Sequence, residues 1–450
     1  MSEAPASASF VQRAMWAVAQ RNRAAPLNVM ILPWRIRGPL DVALLTASLQ
    51  DVIARHRALR TCLVLGGGQL QQVIGAVEAI DLPVVKVAGP SPQARLTAAM
   101  ELLRDEGRQP IDLIAGPPIR LRLLQVDEGD HMLCLYAHHA MCDGWSSQIF
   151  MRELASIYVA RSNVQSAALA QIAQQYTDFA EWQIRTYESG GFTAEVDYWR
   201  TELQDPPPPL ELPTIAPRKG NRDWRASSPV QFESADLLAK LKQLARSKKS
   251  SLFSVLLASV AVLLHHRTGA GDMLIGVSTV NRRSKDEMHL VGCVTNLLPA
   301  RIRITAESRF DELVGQVHAT VRRLLAYGRI PFELILRELA GPSSGSLLPA
   351  VWCQLREPSP ATVLETAGLS FEPFQVDRAA ILCDLEIDVI ESEAGLDCLF
   401  AHRQSLFEPQ MIAAMGADFG AILHLVVQED ALHVADLCRR ACVASAAPAP

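Results

Sequence analysis

His138-His139-Ala140-Met141-Cys142-Asp143-Gly144 stands between an apolar run that reads as a strand, Met132-Leu133-Cys134-Leu135-Tyr136-Ala137, and a segment from Ser146 to Val159 with helical apolar spacing. Upstream, Ile119 to Val126 is a second β-rich run. Asp127-Glu128-Gly129-Asp130 separates the two with the acidic residues and glycine of a hairpin turn. The histidine pair is therefore delivered by a strand into a strand-to-helix loop.

That placement has a chemical reading. An imidazole is available as a base near neutral pH. Neighbouring side chains on an extended chain point to opposite sides, so one histidine faces a cavity and the other supports it. An aspartate four residues past His139 closes the loop by hydrogen bonding, or pairs with a basic residue elsewhere, and Gly144 suits a tight turn and a close approach to a ligand. A helix starting near Ser146 would aim backbone N–H groups at the same spot, where an oxyanion could be stabilised. Acyl transfer is the chemistry such an arrangement serves. A second pair, His265-His266, follows an apolar helix and lacks the Asp-Gly, so it reads as a dipole-complementing helix end. No third ligand stands at metal-binding spacing around His138 and His139.

Outward from the loop, Phe10 to Gln20 and the stretch from Asp41 to His56 read as helices, with Val29 to Ile36 a strand between them and Arg60 to Leu65 another strand. Beyond the motif, Leu252 to His266 and Arg309 to Leu325 read as helices and Met273 to Val280 as a strand, repeating the α/β style. The run Pro206 to Pro209 and the basic, polar segment Arg218 to Arg225 resemble an interlobe crossing. With 450 residues the chain exceeds what one core usually organises. We expect two lobes, residues 1–182 carrying the histidine motif and residues 183–444, followed by an Ala/Pro-rich tail, 445–450.

A net charge of −5 and the lack of a basic, aromatic-interleaved stripe argue against nucleic-acid binding. The nine cysteines lack zinc-site or disulfide-framework spacing, which fits a reducing cytoplasm. Met1 to Pro5 has no secretory pattern, and the apolar stretch Leu252 to Leu264 is too short to span a bilayer and reads as a buried helix.

The sequence His138-His139-Ala140-Met141-Cys142-Asp143-Gly144-Trp145-Ser146 resembles the HHxxxDG motif of nonribosomal peptide synthetase condensation domains, including the Trp-Ser that often follows it. Other family motifs follow in order: Ser9 to Trp16 resembles the first, Arg55 to Thr61 the second, Tyr176 to Trp182 the fourth, Val291 to Asn296 the fifth, and Pro331-Phe332-Glu333 the end of the sixth. The resemblance implies an α/β fold of two chloramphenicol-acetyltransferase-like lobes, each an α+β sandwich, arranged as a V-shaped pseudo-dimer with His139 in a central tunnel. It implies a donor acyl group held as a phosphopantetheine thioester on a partner acyl- or peptidyl-carrier protein, and attack by the amine or hydroxyl of a soluble or carrier-bound acceptor. His139 would be general base or would position the nucleophile. Asp143 would be structural and paired with Arg282, and Gly144, His138, Trp145, Ser146 and Asn296 would complete the site. No permanently bound cofactor or metal, no membrane and a monomer are expected.

Departures from the family pattern bear on substrates. Ala14 replaces the usual arginine of the first motif, Tyr327-Gly328-Arg329 replaces the polar start of the sixth, and Ser346-Leu347-Leu348-Pro349 lacks the arginine of the seventh. An unusual acceptor or a free-standing enzyme, for which Met1 and the frayed end at Pro450 also speak, is more plausible on this pattern. Alternatives are a wax-ester or polyketide-associated O-acyltransferase, an epimerisation domain, whose extra acidic motif is missing here, and a silent domain that recruits partner proteins. Ser343 to Leu347 faintly resembles a phosphopantetheine attachment site and reads as a loop.

Overall fold

A computed structural model of the chain describes residues 4–218, 220, 223–339, 347–356, 364–366 and 368–445. Ser343 to Ser346 and the tail beyond Ser445 lie outside the described residues. The chain divides into two compact units: Met1–Gly191 with Val280–Thr295 and Ser359–Ala380, and Phe192–Thr279 with Asn296–Pro358 and Ile381–Pro450.

In the first unit the strand Asp130–His138 is central, and its composition shows why. Leu133, Leu135 and Ala137 enter one apolar cluster, and Met132, Cys134 and Tyr136 enter another on the opposite face. A strand covered on both sides carries apolar residues at every position, with alternate residues serving alternate faces. It pairs antiparallel with Val29–Arg37 on one side and Ile119–Asp127 on the other. The hairpin is closed as Asp127↔Asp130, with Gly129 at φ 67°, a conformation glycine adopts without steric cost. Helices Val42–Arg55 and Gly144–Ser162 contribute Leu45, Leu49, Phe150 and Leu154 to the first cluster. Helix Pro92–Gly107 contributes Ala99 and Leu103 to the second, and its Glu106 meets the Arg122 guanidinium at 2.7 Å.

The strand Leu369–Pro373 also belongs to this sheet. It pairs antiparallel with Val29–Arg37, so a segment more than two hundred residues distant in sequence completes the first unit's sheet. Leu290, Val291 and Val294 likewise lie in the first unit's core cluster.

The second unit is built on the strands Asn296–Arg303, Asp272–Thr279, Val351–Arg356, Leu385–Ser392 and Gly395–Arg403, in that order, with short strands at the far edge. The apolar stretch read as a buried helix forms Leu252–Thr268, in which every residue from Ser254 to Leu264 is buried. By length and composition, helix Pro409–Gln428 is apolar enough to cross a membrane, and it buries Ile412, Phe419, Ile422 and Leu423 within the unit.

The single cut expected at 182/183 differs from this division. Helix Tyr176–Glu188 stays with the first unit, and helix Thr193–Glu202 opens the second, where the buried Trp199 donates its indole N–H to the Tyr327 carbonyl at 3.1 Å. The proline run lies inside the second unit, with Leu210 and Leu212 buried, and is not a crossing between units. Sequence adjacency could not reveal the two later segments that return to the first unit.

Candidate active site

The strand Asp130–His138 ends at the first histidine, and the chain then turns sharply. The Met141 N–H donates to the His138 carbonyl at 2.8 Å, and the His139 N–H donates to the Asn28 carbonyl at 2.7 Å. The turn separates the two rings. His138 is 1% exposed; its Nδ1 accepts from the Ala140 N–H at 3.1 Å, which places the ring proton on Nε2. Burial, with a smaller contribution from the neighbouring imidazole, holds His138 at a pKa of about 3, so it is neutral. His139 is only partly buried. Burial lowers its pKa below 6.5 and the positive Arg378 lowers it further, against opposing effects of Asp143 and of carbonyls of His139 and Cys142. The two rings thus lie in different environments, one sealed in the core and one partly open.

Asp143 is fully buried and faces away from solvent chemistry. One carboxylate oxygen accepts from the Ser146 N–H (2.8 Å), the Ser146 hydroxyl (2.7 Å) and Arg282 Nη2 (3.0 Å). The other accepts from Arg282 Nη1 (2.9 Å), the N–H groups of Val294 (3.0 Å) and Thr295 (3.1 Å), and the Thr295 hydroxyl (3.1 Å). Burial alone would raise this carboxyl; the Arg282 guanidinium and the surrounding donors overcome it and hold the group at about 2. Arg282 is itself buried and spends Nε on the Glu287 carbonyl (3.1 Å) and Nη2 on the Leu290 carbonyl (3.1 Å). Its neighbour Arg283 has no part in the pair; its backbone N–H meets Glu287 Oε2 at 2.6 Å.

Two expectations are corrected by this geometry. The helix after the motif starts at Gly144, and Asp143 is its N-cap, so the Ser146 N–H offered for an oxyanion is already bound to the Asp143 carboxylate. Gly144 does not adopt a left-handed turn conformation. It is exposed, and a Cβ built on it would meet nothing within 4 Å, so the position leaves open space beside the motif.

The first, fourth and fifth motifs converge on the same loop. Ser9, the N-cap of helix Phe10–Arg21, lies 2.9 Å from the Tyr176 hydroxyl, which donates to the Cys293 carbonyl at 2.8 Å. The Ser146 hydroxyl also lies 2.9 Å from the Gly292 carbonyl and accepts from the Gly292 N–H (3.0 Å). Gly292 is required here, since a Cβ would stand 1.9 Å from the Tyr176 ring. Trp145 donates its indole N–H to the Met288 carbonyl at 3.0 Å. In the second motif, His56 Nε2 lies 2.8 Å from Glu153. Asn296 differs from the rest: it lies in the second unit, where its amide donates to the carbonyls of Gly328 (3.0 Å) and Ile330 (2.7 Å) and accepts from the Phe332 N–H (3.1 Å). It fixes the sixth-motif loop and makes none of the bonds to Asp143. The second pair, His265-His266, sits in the last turn of its helix as expected, with His265 Nδ1 2.9 Å from the Ala270 carbonyl.

Sequence reasoning missed two neighbours of His139. Cys293 places its sulfur 3.5 Å from His139 Nδ1. Arg378 follows the strand Leu369–Pro373, after which the Phe374 N–H donates to the Pro33 carbonyl (3.3 Å), and its charge acts on the His139 ring. Asp377 is tied back to Arg104 at 2.7 Å. Cys293 was legible as a motif position, whereas nothing in the sequence near Arg378 pointed to His139.

The condensation-domain family model matches residues 2–438. This chain belongs to the condensation domains of nonribosomal peptide synthetases. Among curated relatives, one of the linear gramicidin synthase proteins of Brevibacillus parabrevis is 30% identical over 425 residues, covering 93% of this chain and 8% of that protein. The isonitrile lipopeptide synthase of Mycobacterium tuberculosis is 30% identical over 419 residues, covering 90% of this chain and 16% of that one. The chain thus spans a small part of these relatives. Among solved structures, the X-domain from teicoplanin biosynthesis superposes with a TM-score of 0.85 at 25% identity, covering 97% of this chain and 98% of that one. The first condensation domain of the calcium-dependent antibiotic synthetase superposes with a TM-score of 0.84 at 20% identity, covering 97% and 99%, and supports the two-lobe condensation fold. Condensation domains hold no permanent cofactor, and their substrates ride on the phosphopantetheine of partner carrier domains.

Proposed function

We propose that this condensation domain is an active acyltransferase in which His139 promotes attack of an acceptor amine or hydroxyl on the carbonyl of a carrier-bound thioester. The observation that carries the reading is the contrast within the histidine pair: His138 is buried and neutral, while His139 is partly exposed and kept deprotonated at neutral pH by burial and by Arg378. A neutral imidazole can accept the proton that the nucleophile loses as its bond to the carbonyl carbon forms. Collapse of the tetrahedral adduct breaks the C–S bond, and the departing phosphopantetheine thiolate takes the proton back. Asp143 and Arg282 act beneath this chemistry by fixing the loop. Among the described residues, no group of three or more His, Cys, Asp or Glu side chains is placed to hold a metal ion.

Intact-protein mass spectrometry of an acyl-loaded carrier mixed with the chain and a panel of amines and alcohols tests the proposal. Loss of the acyl group with one acceptor class names the bond, and the loss disappears in His139→Ala. Transfer only from an acyl-coenzyme A to a long-chain alcohol would replace the carrier reading by that of a wax-ester-type O-acyltransferase.

A second reading, recruitment of a partner protein, is favoured by one neighbour: the X-domain in complex with OxyB from teicoplanin biosynthesis, at 26% identity and a TM-score of 0.83. A recruiting domain keeps its function in His139→Ala, so the same variant separates the two.

A further inference from the structure

We propose that Cys293 is a positioning residue for His139, holding the ring through Nδ1 so that Nε2 is presented as the proton acceptor. The inference deepens the reading of His139 as the reacting base and rests on it.

The sulfur of Cys293 lies 3.5 Å from His139 Nδ1, within the longer range that sulfur hydrogen bonds take. The residue carrying it is fixed from several directions. Its own carbonyl accepts from the Tyr176 hydroxyl, itself in contact with Ser9, and the preceding Gly292 is tied through both N–H and carbonyl to the Ser146 hydroxyl. The two following N–H groups, of Val294 and Thr295, end on the Asp143 carboxylate. Cys293 is 2% exposed, so its side chain has little freedom to leave the imidazole.

A thiol is both a weak donor and a weak acceptor, so the contact alone allows either ring tautomer. The carbonyls of His139 and Cys142, which also stabilise a protonated ring, are acceptors only and favour an N–H on the side they face. An Nδ1–H directed at the sulfur leaves the Nε2 lone pair to take the proton of the attacking nucleophile. The buried network around Asp143 thereby reaches His139 through Cys293, although Asp143 makes no hydrogen bond to the ring.

The test uses the full chain, ¹⁵N-labelled at histidine, with Cys293→Ala and Cys293→Ser variants and His139→Ala to assign the resonance. Long-range ¹H–¹⁵N correlations at pH 7.5 read the His139 tautomer directly. The expected result is one Nδ1–H tautomer in the parent chain and in Cys293→Ser, and a mixture of tautomers in Cys293→Ala. In the acyl-transfer assay the alanine variant loses about tenfold or more in kcat with KM little changed, the scale of a misplaced catalytic group, and serine restores most of it. An unchanged tautomer in Cys293→Ala, or an Nε2–H tautomer in the parent chain, overturns the proposal. If the parent chain transfers no acyl group, the functional reading fails while the resonance still decides the role of Cys293. A thermal melt identifies an alanine variant that has merely unfolded, and Cys293→Val, which fills the volume without a hydrogen-bonding atom, then carries the test by the same two outcomes.

Discussion

Arg282 and Asp143 are separated by 139 residues, yet the guanidinium meets both carboxylate oxygens, at 2.9 and 3.0 Å, with neither side chain exposed. Removing one member leaves a buried charge without its counterpart. Arg282→Ala is expected to cost about 3–5 kcal/mol of stability, as broken buried pairs do, and Arg282→Lys most of that because an ammonium cannot span both oxygens. Denaturant unfolding of the two variants checks the ordering; parity of Arg282→Ala with the parent would mean the pair is dispensable.

Acid should destabilise the chain in two windows. His138 is held at about 3 against 6.5 for a free histidine, so the unfolded chain binds the extra proton first and stability falls as pH drops from 6.5 towards 3. Asp143 is held at about 2 against 3.8, so its contribution is present above 3.8 and is lost as pH falls towards 2. His138→Asn is expected to shrink the upper window, to which the other histidines that burial holds below 6.5 also contribute, and leave the lower one. Urea midpoints measured from pH 7 to 2 provide the comparison.

The Arg378 charge favours the neutral His139 ring. Arg378→Met removes a cation that opposes protonation, so the His139 pKa rises and the acidic limb of the kcat/KM profile moves to higher pH. In the parent chain that limb lies below 6.5. A profile unmoved by Arg378→Met would show that the guanidinium does not act on the ring.

Gly144→Ala separates space from backbone. Glycine at a helical position without a left-handed φ is less stable than alanine by roughly 0.5–1 kcal/mol, so the variant should melt no lower than the parent. If the open space beside Gly144 admits substrate, KM rises. An unchanged KM would assign that space no part in binding.

His139→Ala is expected to keep its melting temperature within a few degrees while transfer falls by roughly 10²–10⁴, the contribution typical of a general base. A loss confined to KM would instead make the ring a binding group.

Much of this was legible in the sequence, and for identifiable reasons. The strand through Met132 to Ala137 reads clearly because both of its faces are covered, and the loop after it keeps side chains whose spacing the chemistry constrains. Arg282 could be named as the partner of Asp143 through its motif position. What stayed hidden was set by tertiary pairing. Nothing near Leu369 says that it continues the sheet begun at Val29, so neither this strand nor Arg378 could be placed. The capping of the helix by Asp143 was missed because the helix starts two residues earlier than its apolar pattern does. Ser343 to Ser346 and Pro450 fall outside the described residues.

The position of Arg282 in the chain also has a consequence in time. On the ribosome Asp143 emerges first, and its counter-charge follows 139 residues later. At about 5–20 residues per second that is an interval of roughly 7–28 s. Until Val280–Thr295 arrives, the carboxylate has to remain in water, and the loop that carries both histidines cannot close. The loop is therefore completed only after a segment well over a hundred residues downstream has been made.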